Sequence, residues 1–372
     1  MKKKVLRITA LVLAVVLAAG GVIAYAFFLP HPLNYDISSV PAVGSSLEIV
    51  SSGIDEVTVK AGENFKVLAF TDIHLDGKNE TSYTTVKNIV ENVVAEKPDL
   101  VIFNGDSVTS AFNKKRTHQL CEIFEKLGVY WAGGLGNHEG DNGFSISREA
   151  MIDIFSSYEH CLMLKGTGEA WGAGNYALTV LNADDTVRQV YYFMDTGDEM
   201  SEEDKVTYGI DPAKSPYDGT KPSQVEWYAA KNASLKEKYG VFTSTLFVHI
   251  PLPQFKNAEE GSEMLYGEKL ENICASGFDA GLFDALKEGG TTKAVFSGHD
   301  HLNTFGILYE DILLSYLQPS GYGSYTTASR LGYEEKDWLQ GYTAFEVAQD
   351  GSFTTYRVRN SEGEQLPGAE IK

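Results

Sequence analysis

The stretch Lys97-Pro98-Asp99-Leu100-Val101-Ile102-Phe103-Asn104-Gly105-Asp106 holds the end of one element, the whole of a second and the start of a loop. Lys97-Pro98 stops a helix, because proline lacks the amide proton that the next turn needs and biases its predecessor away from helical geometry. Leu100 to Phe103 is then a short apolar run of the kind that a parallel sheet buries on both faces. Toward the N-terminus, Val86, Ile89, Val90, Val93 and Val94 repeat at helical spacing. Before them, Phe65 to Phe70 reads as a mostly apolar strand, and Val57-Thr58-Val59-Lys60 as an alternating one that turns at Gly62-Glu63-Asn64. Toward the C-terminus, Leu120, Ile123, Phe124 and Leu127 form a second helix closed by Gly128, and Val129-Tyr130-Trp131-Ala132 is a third strand of the series. The order is βαβαβ, which predicts a parallel sheet with right-handed crossovers.

A parallel arrangement has a consequence for chemistry. Asp72, Asp106 and Asn137 each fall a few residues beyond one of these three strands, so all three arrive at the carboxyl edge, where open α/β sheets bind ligands. Taken singly they are ordinary turn residues or caps. At three successive strand ends they describe a site. A second stretch points the same way: Phe296-Ser297-Gly298-His299-Asp300-His301-Leu302-Asn303 leaves the short apolar run Ala294-Val295-Phe296 through a glycine. In an extended segment alternate side chains share a face, so His299 and His301 can look into one cleft and each offer a ring nitrogen to a cation. A His-x-His pair by itself equally suits a solvated turn or a core strand. Here five of the eight histidines lie in compact clusters with Asp or Asn or at strand ends: Asp72-Ile73-His74, Gly136-Asn137-His138-Glu139, His249-Ile250-Pro251, and His299 with His301, beside Gly105-Asp106.

The middle of the chain is less legible. Ser147 is expected to cap a helix running to Tyr158, and Gly174 to Val180 and Val190 to Met194 read as strands. Asp195 to Lys221 is a long polar loop, expected to lie over the cleft. A helix resumes at Lys221-Pro222-Ser223-Gln224-Val225-Glu226, with Ser223 and Glu226 as a capping box. Thr245 to Val248 is an apolar strand ending at His249. Phe305 to Leu308, Ile312 to Tyr316 and Tyr342 to Val347 suggest a second sheet that closes the core.

At 372 residues and 43% hydrophobic content, the chain can bury a sizeable core. Lys2, Lys3, Lys4 and Arg7 precede an uncharged run from Ile8 to Leu29, so residues 1–32 are expected to be a signal anchor spanning a bilayer or a cleaved signal peptide, with Ala24-Tyr25-Ala26 as a small-residue cleavage site. Basic residues stay on the cytoplasmic side, which places everything after Pro30 outside: at the cell membrane if the segment is kept, secreted if it is cleaved. Residues 33–55 are expected to be a linker, 56–360 the catalytic domain and 361–372 a C-terminal tail. The formal net charge is −20 although the first seven residues carry four basic groups, so the rest of the chain is still more acidic. Such a surface repels nucleic acid and anionic lipid headgroups. Three cysteines are too few for a disulfide framework: Cys121 falls on the apolar face of a helix, and a Cys161 to Cys274 pairing is left open by the sequence.

Asp, His and Asn in this mixture suit hard to borderline divalent cations rather than a thiolate site, and two metals sharing a carboxylate need about seven side-chain ligands, which the clusters supply. The glycine before Asp106 permits a tight approach and makes Asp106 the candidate bridge. The order Asp-x-His, Gly-Asp, Gly-Asn-His-Glu, His, Gly-His-x-His resembles the calcineurin-like metallophosphoesterases. Lys97-Pro98-Asp99-Leu100-Val101, Val248-His249-Ile250-Pro251-Leu252-Pro253 and Gly298-His299-Asp300-His301-Leu302-Asn303 look closest to a branch of small plant and fungal phosphatases related to purple acid phosphatases. The resemblance spans about Phe65 to Tyr325.

That resemblance implies an α/β fold of two sheets packed as a β-sandwich flanked by helices. It implies one metal on Asp72, His74 and His301, a second on Asn137, His249 and His299, Asp106 bridging them, and His138 as the non-ligand histidine at the leaving group. Where purple enzymes have a tyrosine three residues after the bridging aspartate this chain has Thr109, so two plain divalent ions (Mn, Fe, Zn or mixed) are expected rather than a coloured ferric site. The implied reaction is hydrolysis of small phosphomonoesters by in-line attack of hydroxide held on the metals. A phosphodiesterase or nucleotide hydrolase on the same site, and an inactive cell-surface binding module, are the alternatives. Arg148 and Tyr322 are weaker candidates for substrate contact. Oligomeric state is not written in the sequence.

Overall fold

The computed structural model describes residues 33–372 apart from 77–78, 111, 142–144, 212–215, 260–261, 335–337 and 364. In chain order the first half contains β1 (Glu48–Ser52), β2 (Glu56–Lys60), β3 (Lys66–Phe70), α1 (Asn79–Glu96), β4 (Leu100–Asn104), α2 (Asn113–Leu127), β5 (Tyr130–Gly134), α3 (Arg148–Phe155), β6 (Tyr176–Leu181) and β7 (Val187–Met194). The second half contains α4 (Glu202–Tyr208), α5 (Pro222–Tyr239), β8 (Ser244–Val248), α6 (Gln254–Glu259), β9 (Met264–Tyr266), α7 (Leu282–Gly289), β10 (Thr292–Ser297), β11 (Gly306–Tyr309), β12 (Ile312–Tyr316), α8 (Thr327–Leu331), β13 (Gly341–Val347), β14 (Phe353–Arg359) and β15 (Gln365–Ile371).

The expected βαβαβ unit is present: β3, β4 and β5 are parallel neighbours. Val86, Ile89, Val90 and Val93 of α1 are buried, as are Leu120, Ile123, Phe124 and Leu127 of α2. Gly128 closes α2 at φ 65°, in the left-handed region, with its N–H on Phe124 O. This unit is half of a six-stranded sheet in the order β15-β14-β13-β3-β4-β5, which faces a nine-stranded sheet in the order β1-β2-β6-β7-β8-β10-β12-β11-β9. Aromatic rings fill the space between them. Phe247 and Phe296 stack at 5.7 Å, and Phe345 from the opposite sheet sets its edge against both. Helices cover the outer faces: Phe124 of α2 packs on Phe103, and Tyr228 of α5 on Tyr192. The expected α/β two-sheet sandwich flanked by helices is therefore observed.

Several expectations are corrected. The third candidate of the second sheet, Tyr342 to Val347, instead extends the first sheet, pairing antiparallel with β3, because its Thr343 to Glu346 backbone completes the free edge of that strand. The 33–55 linker is partly structured. Leu33, Val40 and Leu47 are buried, and Glu48–Ser52 is a strand paired antiparallel with β2. The 361–372 tail is mostly β15, hydrogen-bonded to β14. At α5 the N-terminal box forms two residues earlier than expected: Gln224 Oε1 accepts from Lys221 N, while Ser223 Oγ accepts from Trp171 N. All three cysteines are free. The expected anchor or signal at 1–32 lies outside the described residues, and among those described no helix is long and apolar enough to cross a membrane.

Candidate metal centre

The loops beyond β3, β4, β5, β8 and β10 meet on one edge of the sandwich, where the two sheets are tied together. Asn104 Nδ2 donates to Val248 O across the seam, and the Tyr176 hydroxyl both donates to Gly133 O and accepts from Gly133 N. Backbone pairing continues past the strands themselves: Asp72 N reaches Gly105 O, and His74 N reaches Asp106 O at 2.8 Å. Side chains carried on such coupled loops are fixed relative to one another, which is what a multidentate site requires.

All seven candidate ligands gather there, each under 10% exposed: Asp72, His74, Asp106, Asn137, His249, His299 and His301. Ligand atoms of Asp72, His74, Asp106 and His301 lie within 4.8 Å of one another. His301 Nε2 is 3.2 Å from Asp72 Oδ1 and 3.0 Å from His74 Nε2. On the other side His249 Nε2 is 3.1 Å from Asp106 Oδ2, and His299 Nδ1 is 2.8 Å from Asn137 Oδ1. Asp106 thus stands between two groups of donors, 3.6 Å from His74 Nε2 through the same oxygen that faces His249.

These residues fit cations by their own geometry. Two imidazole nitrogens facing each other at 3.0 Å need a proton or a metal between them. Asp106 Oδ2 and His249 Nε2 are buried and make no well-formed hydrogen bond, an expensive arrangement for protein groups alone. The far ring nitrogens explain the aim: His249 Nδ1 is held on Asn104 O at 2.8 Å and His301 Nδ1 on Tyr325 O at 3.2 Å, so each ring turns its Nε2 lone pair inward.

The backbone is bent to suit. Asp72, His74, Asp106 and His299 have φ of 54°, 47°, 49° and 75°, left-handed values unusual outside glycine. Gly105 sits at φ 86°, where a Cβ would come within 2.4 Å of His249 Nδ1, so the close approach read from the sequence is real. At Gly298 a Cβ would lie 2.1 Å from Thr71 Oγ1.

Charge is set by this packing. Burial works against both carboxylates, but His301 and His249 beside Asp72, and His249 and His74 beside Asp106, hold both below the usual range. Burial drives His74 and His299 down to about 3, assisted by neighbouring imidazoles. His249 goes the other way: burial opposes its protonation, yet Asp106 and Asp72 lift it to about 10. His138 is the outlier in position. Its side chain is 41% exposed and its Nδ1 lies 2.6 Å from Asp141 Oδ2, which with Asp106 overcomes burial and raises it to about 9.

Arg148 and Tyr322 are not at the reacting edge in the way expected. Arg148 pairs with Asp195 and donates from Nη1 to Gly136 O at 2.6 Å, bracing the loop that carries Asn137. Tyr322 packs against Trp338 and accepts from Asn88 Nδ2. The loop expected over the cleft does reach it: Tyr217 sets its ring edge to face against His299 at 4.4 Å. Sequence reasoning missed several supporting groups. Buried Glu139 accepts from Ser107 N and Gly136 N, and Glu271 accepts from Leu302 N and from the Tyr325 hydroxyl. Tyr325 stacks on His301 at 4.2 Å.

A two-sheet α/β sandwich with acids and imidazoles gathered at the carboxyl ends of its strands defines a class of metal-binding proteins. The chain belongs to the calcineurin-like phosphoesterase family, whose model matches residues 65–303 and so takes in every candidate ligand and His138. The resemblance to purple acid phosphatase-like proteins is borne out as well. A probable inactive purple acid phosphatase 14 from Arabidopsis thaliana is 28% identical over 306 residues, covering 70% of this chain and 71% of that one. Phosphatase DCR2 of Saccharomyces cerevisiae is 29% identical over 296 residues, covering 69% of this chain but only 47% of the yeast protein. Among solved structures, a dimetal phosphatase from Danio rerio superposes with a TM-score of 0.52 at 13% identity, covering 82% of this chain and 98% of that one. At that identity the likeness is one of fold.

Proposed function

We propose that this chain is a phosphomonoesterase that works with two divalent cations, on the outer side of a membrane or after secretion. The observation that carries the reading is the convergence of seven buried donors, two of which, His249 and His301, have their rings aimed by backbone carbonyls, with Asp106 Oδ2 and His249 Nε2 facing each other at 3.1 Å without a well-formed hydrogen bond. Asp72, His74 and His301 would hold one ion, Asn137, His249 and His299 the other, and Asp106 both. Such a pair, when bound, supplies Lewis acidity that activates water near neutral pH and neutralises phosphoryl oxygens.

The chain's own residues do the rest. Asn104 and Tyr325 carbonyls engage Nδ1 of His249 and His301, so that each ring presents Nε2 to the centre. His138 stands beside the ligands with its backbone N–H on Asp106 Oδ1 and its ring Nδ1 engaged by Asp141. The proton it can give to a departing alcohol oxygen is therefore the one on Nε2. Tyr217 walls the centre beside His299, and the acidic exterior disfavours polyanions such as nucleic acid.

A second reading has one observation behind it: a relative is named as probably inactive. A metal-binding module without turnover would keep the donors and need no His138 with an Asp141 partner. The two readings separate when the protein is stripped by chelator, reloaded with Mn²⁺ or Zn²⁺, and assayed on aryl phosphate monoesters and diesters. Faster turnover of the monoester supports the proposal, a diester preference makes the chain a phosphodiesterase, and no turnover of either by the fully loaded protein leaves the binding module.

A further inference from the structure

The proposed reaction accounts for the centre but not for Arg330. His301, Tyr325 and Arg330 form a short stack: the Tyr325 ring lies nearly parallel to His301, 6° apart in plane at 4.2 Å, and the Arg330 guanidinium sits 4.3 Å from the centre of the Tyr325 ring. Tyr325 is in turn immobilised. Its hydroxyl donates to Glu271 Oε1 and accepts from His301 N, and its carbonyl takes the His301 Nδ1 proton. A cation held over a fixed aromatic face is pre-oriented at little further entropic cost.

Among the described residues Arg330 makes no ion pair, and it is exposed. Two other basic groups are engaged by carboxylates: Arg148 pairs with Asp195 and donates to Gly136 O, and Lys221 pairs with Asp218 and Asp204. In a chain of net charge −20, an arginine without an ion pair among the described residues, stacked on the tyrosine that shoulders a candidate ligand histidine, is out of keeping with its surroundings. A planar guanidinium is also the group best matched to a carboxylate or phosphate.

We propose that Arg330 is a substrate-contacting specificity residue, which binds a second anionic group on a phosphorylated small molecule whose phosphate lies at the metal centre. The substrate class this selects is a phosphomonoester carrying a further carboxylate or phosphate a few bonds away, rather than a simple alkyl or aryl phosphate. The inference rests on the phosphatase reading for the word substrate, but the binding it describes is separable from turnover.

The test uses metal-loaded protein and two non-hydrolysable probes of equal carbon-chain length, propylphosphonate and 3-phosphonopropionate, which differ by a carboxylate in place of a methyl group. Calorimetry on the unaltered protein should show the carboxylated probe binding about tenfold more tightly, the worth of one exposed charge-assisted contact. Arg330→Ala should abolish that preference and leave propylphosphonate within about twofold, and Arg330→Lys should restore part of it. Metal content, measured by elemental analysis, should be unchanged in both variants. Equal binding of the probes by the unaltered protein, or an equal loss for both in Arg330→Ala, overturns the assignment, as does a loss of metal that accounts for the weaker binding. Phosphate release from aryl phosphate on the same samples tests the reaction itself: absence of turnover with the probe preference intact sinks the phosphatase reading and leaves Arg330 as an anion contact.

Discussion

Replacing His138 with alanine separates the chemistry from the scaffold. The side chain is 41% exposed and its strongest contact among the described residues is Nδ1 to Asp141 Oδ2 at 2.6 Å, so deleting it frees an exposed carboxylate to water and costs about 1 kcal/mol of stability or less. The backbone N–H that steadies Asp106 Oδ1 remains. Metal content should therefore stay at the unaltered level, while turnover falls by about 10²–10⁴, the usual worth of a positioned general acid. His249→Ala behaves differently because His249 is 2% exposed. The change leaves Asn104 O with only the Thr71 hydroxyl as a side-chain donor and removes the nitrogen facing Asp106 Oδ2. One metal and most activity should disappear together. Elemental analysis of both purified variants beside turnover of an alkyl phosphate measures the contrast, and equal loss of metal in the two would refute the division of roles. The leaving group supplies a sharper check. An alkyl alcohol needs a proton to depart and a nitrophenolate does not, so His138→Ala should impair alkyl phosphates more. Equal impairment of both substrates would show that His138 is not the acid.

Local geometry sets three further outcomes. Gly105→Ala puts a Cβ 2.4 Å from His249 Nδ1 at a φ of 86°, and should displace that ring from Asn104 O and lower metal content, read by elemental analysis, before it unfolds the protein. Phe345→Ala removes a ring that touches Phe247 and Phe296 across the sandwich, and should cost about 3–5 kcal/mol in urea denaturation with metal content kept in the folded fraction. Glu96 receives hydrogen bonds from Lys66 Nζ, Tyr342 and Tyr356, which outweigh burial and hold its carboxyl below the ordinary value. A lowered carboxyl stabilises the fold above its unfolded value and loses that contribution as pH falls through the folded one. Glu96→Gln should thus be less stable than the unaltered protein by about 1–3 kcal/mol at pH 7, with the gap closing in acid, and a gap independent of pH would discount the network.

What the sequence made legible was local or repeated. The βαβαβ unit rests on valines and leucines at helical spacing around two apolar runs, and the ligands sit within a few residues of strand ends, so both could be read one segment at a time. The failures share a cause. Glu48–Ser52 is exposed along its whole length and Gln365–Ile371 contains Pro367 and Gly368, so neither edge strand shows the alternation or burial that marks a strand. Gly341–Val347 reads as a strand, but only its register with β3 decides which sheet it joins. Glu139, Glu271 and Tyr325 act through backbone groups far away in sequence, and no spacing rule announces a carboxylate that accepts an amide from a distant loop.

The same distinction explains how the centre is held. Four non-glycine residues of the centre in left-handed geometry each cost about a kilocalorie or more relative to relaxed backbone, and two buried polar atoms, Asp106 Oδ2 and His249 Nε2, make no well-formed hydrogen bond. Against that strain stand ties that cross from one sheet to the other: Asn104 Nδ2 to Val248 O, His249 Nδ1 to Asn104 O, and Ser320 N to Thr71 O. Because Asn104 serves both the seam and the imidazole, the orientation of a ligand is coupled to the closure of the sandwich. A substitution that loosens the seam should therefore reach the candidate ligands first, since they sit on strained backbone coupled to it, and the aromatic core between the sheets only later.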